Sequence, residues 1–330
     1  MLAYVGRRLL QFLPTFLGVT LIAFILLKLA PGDPVGLMSD ELGMGAAPGA
    51  LEEWRRLKGL DQPVVVQYLH WLVSFVSFDF GSSLVDEQPV RVLLAQALPR
   101  TLLLTSLALF FTYALAIPLG VHSAVARGSR LDRVLSTTLF VLYSLPAFWV
   151  ALVLLVCLGG GQLFHLFPIR GLASDGMEEA SLVARGLDLG WHLVLPVFCL
   201  TYPSLARTSR YQRAAMLEVI RQDYVRAARA RGLPERRVIW HHAWRNALLP
   251  VLTLLSVDLP WLVGGSVIIE RIFTIRGMGM LTFEAILRRD YPVIMGVTAV
   301  VAVMTMVGIL VGDLTLAWAD PRIRYDGRAR

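Results

Sequence analysis

Phosphate chemistry on a nucleotide needs a glycine-rich loop ending in Lys followed by Ser or Thr, because backbone N–H groups cradle the phosphates and the lysine reaches the terminal ones. The lysines here are Lys28 and Lys58, followed by Leu29 and Gly59, so no such loop is present. Metal chemistry needs ligands on one face of an element. His241 and His242 are adjacent and point to different sides of a helix, whereas a shared metal prefers i, i+4 spacing. His70, His122, His165 and His192 are scattered, and neither G-x-S-x-G nor H-E-x-x-H occurs. Glu178-Glu179 is a charge pair of the kind that solvates a surface, and Cys157 and Cys199 read as packed thiols inside apolar runs, without a CxxC. No catalytic residue and no metal site is therefore expected.

Two places remain where residue type and spacing matter. Asp258 lies in an apolar stretch beside Pro260 and near Gly264-Gly265. A carboxylate at the centre of a membrane helix costs roughly 2.5 to 3.5 kcal/mol on insertion scales. Asp258 must therefore face a pore, a water-filled cavity or a neighbouring helix. A pore contact to a cationic group and a hydrogen bond to a second subunit are both open. Asp313, near the end of the last apolar stretch, is expected to pair with arginines of the tail.

The other place is the arginine-rich stretch Thr208–Asn246, interrupted at Gly232-Leu233-Pro234. Gly suits a helix C-terminus and Pro the first turn of the next helix, so two short helices joined by a turn are predicted. In the second, Val238, Ile239, Ala243 and Trp244 recur at helical spacing. That apolar edge has no evident partner in its own loop, which leaves lipid headgroups or a groove on another protein.

These groups must be held by elements that the composition already constrains. The 330 residues are 56% hydrophobic and only 17% charged, against about 45–50% and about 25% for a soluble domain. A helix needs about 20 mostly apolar residues to cross a bilayer core. Six stretches qualify, approximately Leu9–Leu29, Thr101–Ser123, Val134–Leu158, Trp191–Leu205, Leu248–Ile269 and Val293–Leu316. The first follows Arg7-Arg8 but is longer than a signal-peptide core and has no small-x-small site after it, so a retained anchor is expected. With the N-terminus inside, 19 of the 31 Lys and Arg fall on the inner side, and 16 of the 24 acidic residues on the outer side. The positive-inside rule then places both termini in the cytoplasm. The same asymmetry accounts for the net charge of +7 through anionic headgroups and cytoplasmic partners, without nucleic acid.

Between the first two spans runs the largest outer segment, Pro31–Arg100. Within it, Ala50–Lys58 reads as a short surface helix. Gln62–Phe75 is apolar but too short to cross, and reads as an interfacial or buried helix with Pro63 in its first turn. Further outer loops are expected at Gly159–Gly161, Ser174–Gly190 and Glu270–Pro292. Gly308 and Gly312 form a G-x-x-x-G in the last span, a spacing that permits close helix contact.

The stretch Asp223-Tyr224-Val225-Arg226-Ala227-Ala228-Arg229-Ala230-Arg231-Gly232-Leu233, followed by Asn246-Ala247-Leu248-Leu249-Pro250, resembles the EAA loop of ABC-importer permeases. It is most similar to the B-type permease of dipeptide and oligopeptide importers. Supporting pieces run along nearly the whole chain: Ala30-Pro31-Gly32-Asp33-Pro34, Asp79-Phe80-Gly81-Ser82-Ser83, Pro146-Ala147-Phe148-Trp149, Gly277-Met278-Gly279 with Arg289-Asp290-Tyr291-Pro292, and Asp320-Pro321-Arg322-Ile323-Arg324-Tyr325. Two positions depart from the pattern. Arg226 stands where the general motif has Glu, so Ala227, Ala228 and Gly232 carry over. Arg276 stands where a Pro is expected before Gly277.

The resemblance implies an all-α membrane protein with six transmembrane helices of the type I ABC importer fold, with an extended periplasmic segment between helices 1 and 2. Residues 1–100 would form the first helix and that segment, and residues 101–330 the permease core with a coupling loop at 208–247. It implies that Asp223, Arg226, Ala227, Ala228, Arg229, Gly232, Leu233 and Arg236 contact an ATPase, and that Arg276, Gly277, Met278 and Gly279 face a solute-binding protein. Asp258 becomes a candidate pore contact for the cationic amino terminus of a peptide, with an inter-subunit hydrogen bond equally open. Expected partners are a second, homologous permease, two ATPase subunits that bind the ATP and Mg, a periplasmic or lipid-anchored solute-binding protein, and membrane lipid. The expected setting is a bacterial inner membrane and the expected cargo di- or oligopeptides, with nickel chelates or glutathione as alternatives. An ion-coupled secondary transporter is less well supported, because its usual paired broken spans in repeated halves are not evident.

Overall fold

The computed structural model describes residues 2–29, 56, 61–159, 164 and 166–319. Its helices are α1 (Leu2–Leu29), α2 (Val64–Val76), α3 (Val90–Val125), α4 (Arg130–Ser144), α5 (Ala147–Leu158), α6 (Leu182–Val219), α7 (Asp223–Ala230), α8 (Glu235–Ala247, with a π-helical stretch at Val238–Ala243), α9 (Leu249–Asp258), α10 (Trp261–Gly264), α11 (Val267–Ile272), α12 (Met278–Leu287) and α13 (Tyr291–Ala319). Four are long and apolar enough to cross a membrane (Tyr4–Leu29, α3, α6 and α13), and two bent pairs bring the number of spans to as many as six.

The bent pairs are where the apolar stretches differ from straight spans. The predicted span Val134–Leu158 is α4 and α5, set 95° apart. Leu145 is extended (φ −87°, ψ 126°), as expected of a residue before proline, and Pro146 then starts α5. The predicted span Leu248–Ile269 is likewise divided. Glu235–Ala247 and Leu249–Gly264 meet at 48°, and the chain turns again at Leu259-Pro260 and at Gly265, whose φ is +64°.

The other correction is length. The fourth span, predicted as Trp191–Leu205, is the middle of a 38-residue helix. That is about 57 Å at 1.5 Å per residue, against a core of about 30 Å. So Leu182–Gly190, read as part of an outer loop, and Thr208–Val219, read as the start of the inner loop, are both turns of α6. Pro196 and Pro203 lie inside it without breaking it. The helix Ala50–Lys58 falls mostly outside the described residues, as do Ala30–Pro34, Gly160–Gly161 and the tail arginines expected to meet Asp313.

The chain divides into two compact units, Met1–Arg100 with Gly277–Met306, and Thr101–Arg276 with Val307–Arg330. In the first, α2 packs on α1 through aromatic rings: Phe75 on Phe16 at 4.9 Å and Tyr68 on Phe24 at 5.6 Å between centroids. The Tyr68 hydroxyl is 2.9 Å from Thr20 Oγ1 and donates to the Leu17 carbonyl. The other face of α2, with Val65, Leu69, Val73 and Val76, is exposed. Two sequence motifs meet in this unit. Asp290 is buried, takes a hydrogen bond from Ser83 Oγ and another from the Leu84 N–H at 3.2 Å, and also receives the Val293 N–H in the first turn of α13.

The second unit has two apolar clusters. One joins Leu104 and Ala108 of α3, Ala151 of α5, Leu193 and Cys199 of α6, and Ile269 and Phe273. The other lies under the arginine-rich loop. Gly308 and Gly312 are used here. A Cβ on Gly308 would stand 3.0 Å from Pro260 Cα, and one on Gly312 would stand 2.8 Å from Ser256 Cα. Ser256 Oγ donates to the Gly312 carbonyl at 3.0 Å. The small pair thus lets α13 lie directly on the backbone of the broken fifth span.

Candidate functional site

The arginine-rich loop folds into an elbow of α7 and α8 whose inside is apolar. Val225 and Ala228 of α7 are buried with Val121 and Ala124 of α3, Met216 of α6, and Val238, Ile239, Ala243 and Ala247 of α8. The apolar edge of α8 is therefore covered within this chain. Lipid or a partner groove is not needed to hide it, which corrects the sequence-based expectation. What hid this from the sequence is distance: the covering residues of α3 are more than a hundred positions away. Asn246 Nδ2 donates to the Tyr224 hydroxyl at 2.9 Å, clasping the end of α8 to α7.

The outside of the elbow is charged. Asp223, Arg226, Ala227, Arg229, Gly232 and Arg236 are exposed, Leu233 is half-buried in the apolar cluster, and Ala228 is buried. Of the two alanines expected to contact an ATPase, only Ala227 is therefore exposed. Arg226 pairs with Asp223 on the same helix. Arg229 reaches across the turn to Glu235, Nη2 to Oε1 at 2.7 Å, and this hydrogen bond holds the Arg229 pKa above its ordinary value. Gly232 has φ +75°, and a Cβ there would meet no atom within 4 Å. Glycine is demanded by the left-handed turn and not by crowding within this chain, so the elbow's tip is open on its outer side. Of the residues expected to face a binding protein, Arg276 is exposed, whereas Gly277, Met278 and Gly279 are buried at the start of α12.

Asp258 ends α9. Its two carboxylate oxygens each lie 2.8 Å from Arg207 Nη2, and Oδ2 also takes the Tyr113 hydroxyl at 2.8 Å. The sequence left open a pore contact or an inter-subunit hydrogen bond. In the folded chain the first partners of Asp258 are its own α6 and α3. The pair borders a cavity of about 450 Å³ whose wall includes Thr105, Thr112, Ser204 and Ser266. Thr105 Oγ1 donates to the Leu262 carbonyl at 2.7 Å, satisfying backbone freed where α10 ends at Gly265.

One ion pair escaped the sequence reading altogether. Asp132 is buried near the start of α4, and its carboxylate accepts from Ser123 Oγ at 2.5 Å, the Gly128 N–H at 3.0 Å, Ser136 Oγ, and Arg213 Nε and Nη2 at 3.1 and 2.9 Å. The only local signal for it is Ser129 three residues before Asp132, a helix-start pattern. Among the described residues, no group of three or more His, Cys, Asp or Glu is placed to hold a metal ion.

Comparison with known proteins gives this arrangement a lineage. The family model for the binding-protein-dependent transport system inner membrane component matches residues 116–325, and the model for the N-terminal part of such components matches residues 1–105. This chain belongs to that family of ABC-importer permeases. The oligopeptide transport system permease protein AppB of Bacillus subtilis is 40% identical over 98% of this chain and 100% of its own length. The di/tripeptide transport system permease protein DppB of Pseudomonas aeruginosa is 39% identical over 98% and 99%. The inner membrane ABC transporter permease protein YejB of Escherichia coli O157:H7 is 32% identical over 99% and 100%. Among solved structures, an inward-facing MetNI methionine ABC transporter chain superposes with a TM-score of 0.51 at 19% identity, over 70% of this chain and 97% of that one. That likeness concerns the fold, and it places the permease in the type I importer architecture. As a permease of this family with apolar spanning helices, the chain is a multi-pass inner membrane protein.

Proposed function

We propose that this permease is one of two related membrane subunits of an ATP-driven importer for di- or oligopeptides. Its elbow, residues 223–247, is the coupling loop. In this reading the N- and C-termini and the elbow are cytoplasmic, as the arginine distribution favours. Two partner ATPases bind ATP and Mg beneath the elbow, and a solute-binding protein delivers peptide from the other side. The similarity to peptide permeases supports the cargo class. The absence of a phosphate-binding loop from the sequence requires that hydrolysis occur on another chain.

The observation that carries the coupling role is the division of labour within the elbow. Its apolar residues are spent on anchoring it to α3 and α6, so any push on it is passed directly to those helices. Its charged residues and the open tip at Gly232 remain available to a groove on another protein. The test is a cysteine placed at Arg236, cross-linked in membranes that contain the co-expressed importer subunits. A product with the ATPase that forms in one nucleotide state and weakens in the other supports coupling. Labelling of Arg236 by a membrane-impermeant thiol reagent added outside intact cells would put the elbow on the wrong side and end the reading.

A further inference from the structure

The cavity beside Asp258 has the donors and acceptors of a site for a small zwitterion. At about 450 Å³ it lies within the usual range of about 300–1,000 Å³ for small-molecule sites. Its wall combines four hydroxyls, from Thr105, Thr112, Ser204 and Ser266, with one positive and one negative side chain. Asp258 sits midway along the fifth apolar stretch, and Tyr113 midway along the second. Charges at that depth avoid lipid, and irregular backbone such as that between α9 and α11 is tolerated where it is buried in protein or lines water.

The ion pair in this cavity is closed but unsaturated. A guanidinium has five N–H donors in a rigid fork that fits a carboxylate with two parallel hydrogen bonds. Arg207 uses Nη2 for both oxygens of Asp258, while its Nε is buried with no hydrogen-bond partner among the described residues. Nη1 also makes no hydrogen bond among the described residues, and since the side chain is 41% exposed while Nε is enclosed, the edge left open on this cavity-lining residue is that of Nη1.

We propose that this cavity is a transit site for peptides with free termini, in which the peptide carboxylate docks on the unused edge of Arg207 and the peptide ammonium on Asp258. The inference rests on the peptide-permease reading and deepens it by naming the residues that meet the cargo. With the cavity empty, Arg207 and Asp258 neutralise each other. A zwitterion replaces that one pair with two, so no charge is left alone in the low-dielectric interior at any step. The internal pair also competes with the cargo and keeps binding weak, which suits a passage that must be entered and left. The Thr105 and Thr112 hydroxyls already donate to the Leu262 and Ala108 carbonyls, so their lone pairs are what they offer to the peptide's own amide N–H.

The experiment uses the whole importer, with its ATPases, second permease and binding protein, in proteoliposomes. The cargo probe is a tripeptide of alanine, benzoylphenylalanine and alanine, photolysed during turnover, and uptake of radiolabelled trialanine is followed in parallel. Adducts are expected on segments bearing Thr105, Leu109, Leu200 or Leu262. Converting the probe's carboxylate to an amide should lower their yield about ten-fold, the loss of one charge-assisted contact. Arg207→Lys keeps the charge opposite Asp258 but removes the fork, and should lower the yield for the free peptide by about as much. On that variant, amidation should have little further effect, a non-additivity that a merely structural ion pair does not produce. Trialanine uptake with adducts only elsewhere, or with equal yields for free and amidated probe in the wild type, would overturn the transit site alone. Failure of the wild-type importer to take up trialanine would instead remove the peptide reading beneath it.

Discussion

Helix α6 carries two arginines that each hold an aspartate, and the two pairs are built differently. Arg213 meets Asp132 through two nitrogens, and the carboxylate is completed by two serine hydroxyls and a backbone N–H. Arg207 meets Asp258 through one nitrogen, beside a cavity, and among the described residues one tyrosine hydroxyl is the only other donor to that carboxylate. A buried carboxylate with every lone pair occupied is a rivet, because removing one partner strands the rest. A carboxylate shared with a half-used guanidinium next to open volume can exchange partners. The same residue types at the same kind of helix contact thus do two jobs, and hydrogen-bond saturation tells them apart.

The largest effect that follows is on stability. Asp132→Ala removes the hub for Ser123, Gly128, Ser136 and Arg213 and should cost about 3–5 kcal/mol, the range for breaking one side of a buried pair. Asp258→Ala should cost less, about 1–2 kcal/mol, and fall harder on transport. Thermal unfolding of the purified importer, read beside peptide uptake at equal membrane levels, measures both. If Asp258→Ala were the more destabilising of the two, saturation would not be what separates the pairs.

The next effect is steric. Gly312→Val puts side-chain atoms against the Ser256 backbone, where even a Cβ would come within 2.8 Å. Overpacking of this kind costs about 1–3 kcal/mol, and here it pushes on the helix that ends in Asp258. Its signature should be reduced transport with the Asp132 rivet intact, so that Asp132→Ala and Gly312→Val add in unfolding measurements. Strong coupling between them would show that the two regions do not unfold independently.

Gly232→Val should have a smaller effect on stability and a larger one on coupling. A left-handed conformation costs an ordinary residue roughly 1–2 kcal/mol, and β-branching adds to the strain. Since nothing crowds the position, the chain should still insert and assemble, while ATP hydrolysis proceeds with little uptake. Unchanged uptake per ATP would remove the elbow's mechanical role.

Much of this was legible from local signals. The turn at Gly232-Leu233-Pro234 follows from what Gly and Pro do at helix ends, and α2 follows from an apolar run too short to cross with Pro63 before it. Leu145-Pro146 carried a usable signal for the bend between α4 and α5, but hydropathy alone merges the two helices because both are apolar. The full length of α6 was harder to see, since its ends are polar and only continuous helical hydrogen bonding shows that Leu182–Gly190 and Thr208–Val219 extend it. The Asp258–Arg207 and Asp132–Arg213 pairs join residues 51 and 81 positions apart. No local pattern specifies such partners. The sequence marked Asp258 as costly, and only the fold shows what meets it.

The smallest effect concerns the ion pair that spans the elbow's turn. Arg229 and Glu235 are 39% and 55% exposed, so solvent screens them and the pair is worth about 0.2–1 kcal/mol. Arg229→Ala should therefore leave the melting temperature nearly unchanged, and the residual difference should fade as salt is raised. It is the counterpart of the Asp132 rivet: a charge whose removal the fold barely registers. Any large loss of uptake in Arg229→Ala must then arise where the elbow meets another chain, and Glu235→Ala, which leaves the Arg229 charge free, should not reproduce it. Equal loss in the two variants would instead mean that the pair holds the turn's shape, and that the elbow works through its conformation and not through the arginine it presents.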